Sequence, residues 1–470
     1  MFQLRPPRNI QPATLARRWR PAVAAALFAS SLAPISFAHG ASTCAHLHQD
    51  GSWLTIDSPF TASMVDSAGS RLRSEFAWDG TLSLVAVDAK DPKRIFASDG
   101  VDLERSVDHG CTWQSVFTTG IQGHDAPAMY TISRIVIAGS GRSSHVYLVL
   151  QSNFASHTIG NARNQIATSV DGGGSFKTPA DISVPQSGTD PGSCPWLTAD
   201  QTGVDLVTAP ANPSQLYLLC NNSPSPSLYF STDSAHSWTQ VTSVGLPYWA
   251  TFAPMTVSPV NPRNLWFAAV DAITPTNRGV WRSNDGGRTF DEVFKFPAAA
   301  DGQESSQVSL QTYLPPRAKA TALQILAANE AAVSFSLNAG RKWTLLPSPP
   351  MPSAKSGPII SAAFGPRPGE VTVITAYGSS SGYYRGTGTS APAGCGEATL
   401  AWSYSIAKKR WTALAAPSIA SSAGGHAIFG LTGAGSGAIA GLYGIARGLS
   451  SPCAGGSGFE SPHIVAYTAH

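Results

Sequence analysis

Most of the short phrases that mark enzymes are missing from this 470-residue chain. It has no Ser-His-Asp phrase, no glycine-rich phosphate loop, no Cys-x-x-Cys and no His/Cys spacing suited to zinc. These motifs are absent rather than degraded, so no cofactor and no metal site is expected. Charge is scarce too, at 13% of residues, and no run of Lys or Arg matches a phosphate backbone. Nucleic acid is therefore not an expected partner. Beyond residue 38 no stretch is long and apolar enough to cross a bilayer, and the most apolar one, 424–448, is broken up by glycines. No membrane span is expected there.

The first 38 residues stand apart. They carry Arg5, Arg8, Arg17, Arg18 and Arg20, no acid, an apolar run from Pro21 to Phe37, and a small-residue exit at Ser36-Phe37-Ala38. That is the layout of a secretory signal peptide. A membrane anchor is the alternative, disfavoured by Pro21, Pro34 and the serines of a short run. Arg17-Arg18 raises a twin-arginine route, but Arg20 stands where such signals carry an apolar residue. Removing the five arginines takes the formal charge from +3 to −2. The expected organisation is a signal peptide over 1–38 and one domain over 39–470, secreted or periplasmic. In an oxidising compartment the even set Cys44, Cys111, Cys194, Cys220, Cys395 and Cys453 reads as disulfide-bonded. Cleavage after Ala38 would leave His39 as an N-terminus able, with His46 or His48, to bind copper, although solvated tail histidines are far commoner.

What the chain does contain is a repeat. The phrase Ser-x-Asp-x-Gly-x-Thr/Ser-aromatic is complete at Ser106, Asp108, Gly110, Trp113, again at Ser169, Asp171, Gly173, Phe176, and at Ser283, Asp285, Gly287, Phe290. Two further copies differ at one key position. Ser231, Asp233 and Trp238 frame Ala235 in place of glycine, and Ser336, Gly340 and Trp343 frame Asn338 in place of aspartate. Asp followed two residues later by Gly suits a tight turn, because the carboxylate accepts from nearby N–H groups and Gly takes positive φ freely. Each phrase is read as a hairpin turn fastened by a Ser/Asp pair, with the aromatic starting the next strand. The carboxylates therefore have a structural role that needs no ligand. A second phrase, an Asn/Asp-Pro turn between apolar strands, precedes several copies: Val85–Ser98, Val207–Leu219 and Met255–Val270, with a looser version at Ala362–Tyr377.

Together these phrases resemble Asp-boxes, or BNR repeats, of sialidases, two-domain xyloglucanases, sortilin-type receptors and photosystem II assembly factors, over about residues 44–470. The resemblance implies an all-β fold, a single β-propeller with four antiparallel strands per blade. Five boxes mark five blades, and Leu400–Leu414 is a degenerate sixth. A seventh would use His426–Gly433, Ala438–Gly448 and His463–His470, with Gln49–Ile56 supplying its outer strand and closing the ring. Seven blades are expected, six being the alternative. In the best repeat the strands are placed at Pro254–Pro259, Leu265–Val270, Gly279–Asn284 and Phe290–Phe296. The first–second and third–fourth strand turns then share one end, and the longer connections share the other. On that layout, of fifteen connectivities, Cys44–Cys111, Cys194–Cys220 and Cys395–Cys453 are favoured.

In the families resembled, ligands bind at the end opposite the boxes. A sialidase would need an arginine triad, usually announced by Phe/Tyr-Arg-Ile-Pro, which is absent; Arg94 belongs to a turn phrase, and Arg134 and Arg282 to strand-like runs. A xyloglucanase-like hydrolase would need two carboxylates about 5–10 Å apart. Asp125, Asp271 and Glu304 are the candidates, but that family's cleft lies between two propellers and this chain has residues for one. Loop aromatics Trp196, Tyr248, Trp249, Tyr383 and Tyr384 could stack on sugars or anchor a protein. The expectation is a monomeric, non-catalytic binding or scaffold protein for a protein or polysaccharide ligand. A glycoside hydrolase is the alternative.

Overall fold

A computed structural model of the chain describes residues 85–88, 91–98, 100–119, 130–139, 141–152, 164–182, 204–209, 212–220, 227–246, 254–270, 278–297, 307–315, 317–351, 359–377 and 398–415, with the strands 53–56, 426–434, 441–449 and 459–468. The leader expected at 1–38 lies outside the described residues. Among the latter no helix is long and apolar enough to cross a membrane.

The fold is an all-β propeller of four-stranded antiparallel sheets. Six blades follow one another along the chain. Blade 1 holds β2–β5 (Val85–Asp88, Asp91–Ser98, Asp102–Ser106, Gln114–Thr118), and blade 2 holds β6–β9 (Tyr130–Ala138, His145–Ser152, Gln165–Ser169, Ala180–Asp181). Blade 3 holds β10–β13 (Val204–Ala209, Asn212–Cys220, Ser227–Ser231, Thr239–Val241), and blade 4 holds β14–β17 (Met255–Val257, Leu265–Val270, Arg278–Ser283, Asp291–Lys295). Blade 5 holds β18–β21 (Gln307–Tyr313, Gln324–Asn329, Val333–Ser336, Thr344–Leu345), and blade 6 holds β22–β25 (Ile359–Phe364, Glu370–Tyr377, Ala398–Ser405, Arg410–Ala413). A further sheet joins the chain's two ends. Its β1 (Trp53–Ile56) pairs antiparallel with β28 (Phe459–Thr468), followed by β27 (Gly441–Leu449) and β26 (His426–Ala434).

Two expectations about strand limits need correction. The first strand of blade 4 is Met255–Val257 instead of Pro254–Pro259; the two prolines have no N–H to give to a ladder. The box aromatic does not open the fourth strand. Trp113, Trp238, Phe290 and Trp343 stand one residue before it, and Phe176 precedes β9 by more. The rings of Phe176, Trp238, Phe290 and Trp343 turn inward to the neighbouring blade, and after the last three the strand starts with the next residue.

That inward turn reflects where the core lies. Apolar side chains gather between successive blades, not within one sheet. Phe96, Leu103, Ile132 and Leu148 fill the space between blades 1 and 2, with Phe176 packed against them. Tyr147, Leu218 and Trp238 serve blades 2 and 3, and Leu228, Phe267 and Phe290 serve blades 3 and 4. Trp266, Ile325 and Trp343 lie between blades 4 and 5, and Phe335, Val373 and Trp411 between blades 5 and 6. A blade buries its faces only against another blade, which is why the sequence must repeat.

The first strands β2, β6, β10, β14, β18 and β22 stand side by side in that order. Polar side chains join them. Arg134 on β6 meets Asp205 on β10 at 2.9 Å, and the other carboxylate oxygen accepts the Met255 N–H of β14 at 2.6 Å. Thr312 of β18 donates to the Val257 carbonyl at 3.1 Å, and Ser309 accepts from Ala362 N–H of β22 at 3.0 Å.

Candidate functional site

The four boxes that have an aspartate form the same closed circuit of hydrogen bonds. In blade 1 the Ser106 hydroxyl donates to Asp108 Oδ1 at 2.7 Å and accepts from Gly110 N–H at 2.7 Å. Asp108 Oδ1 also accepts Thr112 N–H at 2.9 Å, and its Oδ2 accepts the Thr112 hydroxyl at 2.6 Å. The circuit recurs around Asp171 with Ser169 and Ser175, around Asp233 with Ser231 and Ser237, and around Asp285 with Ser283 and Thr289. Two successive residues take positive φ in each turn, such as Gly172 at 75° and Gly173 at 77°. In the third box that pair is Ser234 and Ala235, at 61° and 69°, side chains held where L-residues are disfavoured.

The two departures from the phrase have physical consequences. At Asn338 the seventh position is Lys342, which has no hydroxyl to offer a second carboxylate oxygen. Asn338 keeps one acceptor, taking Ser336 Oγ at 3.0 Å and Lys342 N–H at 2.8 Å. Where the donor is lost, the charge that needed it is lost as well. The degenerate sixth turn keeps only Ser405, whose hydroxyl accepts Lys408 N–H at 3.3 Å, while Trp411 reaches back to donate to the Pro347 carbonyl of blade 5 at 2.9 Å.

The second sequence phrase proves to be the box's partner. In Asn212-Pro213-Ser214 and Asn261-Pro262-Arg263 the Asn carbonyl oxygen of the side chain accepts the N–H two residues on, at 3.3 and 3.1 Å. The third residue's backbone carbonyl then accepts an N–H from the box of the same blade. Lys93 takes His109 N–H at 3.0 Å, Ser214 takes Ser234 N–H at 3.2 Å, and Arg263 takes Gly286 N–H at 2.9 Å. The two turns of a blade therefore share one end and are bonded together there.

Sequence reasoning missed a set of side chains under these turns. Phe96, Tyr217 and Trp266 each stand four residues after the proline of the turn phrase, and this spacing was the available signal. They lie beneath the next blade's box. A Cβ built on Gly173 would sit 2.4 Å from the Phe96 ring, and one on Gly340 would sit 2.7 Å from Trp266 Nε1. Tyr147, without such a proline, takes the same place in blade 2. Its hydroxyl donates to the Pro213 carbonyl at 2.8 Å, and burial pushes its pKa up to about 12.

The circuits set the acidity of the box acids. The Ser237 hydroxyl, helped by Ser237 N–H and Ser231, holds Asp233 at about 2. Burial acts the opposite way at Asp285, but Thr289, Ser283 and Arg288 N–H outweigh it and hold the carboxyl at about 2. Asp108 and Asp171 are likewise lowered by their hydrogen bonds against burial. A depressed folded-state pKa contributes stability above the unfolded value of about 4 that disappears as pH falls toward the folded value of about 2. Urea melts are expected to show falling stability across that window. The double variant Asp233→Asn/Asp285→Asn should flatten the slope, since an amide does not titrate; an unchanged slope would place the acid sensitivity elsewhere.

The arginines considered from the sequence do not converge. Arg94, 5% exposed, bonds the Gly141 carbonyl and Ser144 Oγ of blade 2 and lies 3.7 Å from Asp88. Arg134 is on the first strand of blade 2, paired with Asp205. Arg282 lies over the Trp266 ring, 5.7 Å from its centre. Among the described residues no group of three His, Cys, Asp or Glu could hold a metal.

The candidate acids Asp125, Asp271 and Glu304 and the aromatics Trp196, Tyr248, Trp249, Tyr383 and Tyr384 lie outside the described residues, as do Cys44, Cys194, Cys395, Cys453 and His39, His46 and His48. The strands fix where their connections start. Asp271 follows β15, Asp125 stands between β5 and β6, and Glu304 between β17 and β18. Trp196 stands between β9 and β10, Tyr248 and Trp249 between β13 and β14, and Tyr383 and Tyr384 between β23 and β24. Every one of these connections leaves from the end opposite the boxes.

No family model and no curated protein matches the chain. Solved structures similar to it include YCF48 from Cyanidioschyzon merolae, with 11% identity and a TM-score of 0.47 over 88% of this chain and 98% of that one. An ancestral GH74 enzyme shows 12% identity and a TM-score of 0.42 over 79% of this chain and 45% of the enzyme. Trypanosoma rangeli sialidase shows 9% identity and a TM-score of 0.40 over 64% of this chain and 53% of the sialidase.

Proposed function

We propose that the chain is an exported, non-catalytic propeller of seven blades, closed by its own termini, which recognises a protein or a polysaccharide through the end opposite the boxes. The contrast between its two ends carries this reading. At the box end the turns are short and bonded to each other, and the box carboxylates have their oxygens engaged inside the turns. From the other end leave long connections such as 183–203, which contains Trp196, and 378–397, which contains Tyr383 and Tyr384. Rigid scaffolds that carry long loops at one end commonly bind there.

Ring closure is supported by the position of β26, which neighbours both β22 and β2, and by the β1–β28 pairing. The proposed disulfides are Cys44–Cys111, Cys194–Cys220 and Cys395–Cys453. Their support is that Cys111 and Cys220 are both disulfide-bonded.

The test is a glycan array and a panel of fluorogenic glycosides on the purified protein. The proposal expects a retained glycan or protein ligand with no turnover. Glycoside turnover lost in Asp271→Asn or Asp125→Asn would overturn it in favour of a hydrolase.

A further inference from the structure

The box end of blades 4–6 concentrates positive charge that no stretch of sequence displays. Blade 4 contributes Arg263 from its first turn and Arg288 from its box, both exposed. Blade 5 adds Arg317 and Lys319 from its first turn and Arg341 and Lys342 from its box, all exposed. Blade 6 adds Arg367, Lys408, Lys409 and Arg410, also exposed. Acids facing them are few. Asp285 is the one box carboxylate of these three blades, Glu370 lies 3.5 Å from Arg367, and Asp291 starts β17 beyond the box. The same end of blades 1–3 mixes signs, with Asp91 and three box carboxylates, Asp108, Asp171 and Asp233, set against Lys93, Arg105 and Lys177.

Apolar side chains stand among these cations. Val260 is 45% exposed at the first turn of blade 4, Leu337 is 44% exposed in the box of blade 5, and Leu345 is 47% exposed just past it. A soluble polyanion would gain nothing from them. At an anionic bilayer the two features act together, since cations meet lipid headgroups while apolar tips enter the interface.

We propose that the box end of blades 4–6 docks the protein on an anionic phospholipid surface. This face lies opposite the one assigned to ligand recognition, so the two functions are compatible and separately testable. A protein held by its box end would present its long connections away from the membrane. The chain as a whole has little net charge, so attachment depends on orientation, and it weakens as salt shortens electrostatic reach to less than about 8 Å.

The test is co-sedimentation of the mature protein with vesicles of phosphatidylcholine alone and of phosphatidylcholine with phosphatidylserine in equal parts. Binding is expected only to the second, decreasing with added salt. The variant Arg341→Glu/Lys342→Glu/Lys408→Glu/Lys409→Glu, all exposed positions, should bind at least about a hundred-fold more weakly, with its thermal melt unchanged. The variant Leu337→Ser/Leu345→Ser should bind more weakly while keeping the salt dependence. Equal binding to both vesicles, no binding to either, or full binding by the charge-reversed variant would overturn the proposal. So would capture by a soluble acidic polymer with no vesicle binding, which would assign the face to that polymer instead.

Discussion

Gly173→Ala is expected to destabilise the protein by about 4 kcal/mol, from two separate causes. At φ 77° an alanine is strained by about 1–2 kcal/mol. Its Cβ would also fall 2.4 and 2.5 Å from two atoms of the Phe96 ring, which is fully buried in the preceding blade and is flat and stiff. Overpacking of this kind adds about 1–3 kcal/mol. Gly369→Ala separates the two causes. Its φ is 79°, but a Cβ there meets nothing within 4 Å, so only the backbone cost of about 1–2 kcal/mol should remain. Urea melts followed by tryptophan fluorescence give both values. Equal losses at the two positions would show that box glycines serve φ alone and do not admit the neighbouring ring.

Asp205→Ala is expected to cost about 3 kcal/mol, the lower part of the range for breaking a buried ion pair, because Arg134 retains some contact with water. Asp205 is 8% exposed and joins three blades, through Arg134 Nε at 2.9 Å and Met255 N–H at 2.6 Å. Burial outweighs the Arg134 guanidinium and raises its carboxyl above the ordinary range. Arg134→Ala should also be costly, since it strands that carboxylate. The double variant should lose clearly less than the two single losses combined, because neither charge is then left without its partner. Additive losses would mean that Asp205 acts through the Met255 N–H and not through the ion pair.

Both sites show which kinds of information the sequence carries. Box turns are legible because every bond in the circuit joins residues at most four apart, from Ser106 to Gly110 or from Asp108 to Thr112. Composition and order are enough to specify them. The expected pairing of Gln49–Ile56 with the C-terminal strand rested on one missing outer strand and a half-box at the other end; of that segment Trp53–Ile56, as β1, pairs with β28. The rings under the boxes were not recognised, although their spacing after proline was regular, because the glycine they touch belongs to a different repeat. Phe96 and Gly173 meet only when two blades are set face to face.

The sequence by itself determined the repeat, the turn that ends each third strand, and the end of the blade at which that turn lies. Hydrogen bonds over a few residues decide all three. Only the tertiary structure placed Asp205 between Arg134 and Met255, or gathered Arg263, Arg341 and Lys408 at one end with Leu337 among them. Those residues are separated by whole blades along the chain. Their proximity depends on the angle at which blades stack, and that angle is set by apolar packing between sheets, which no local pattern records.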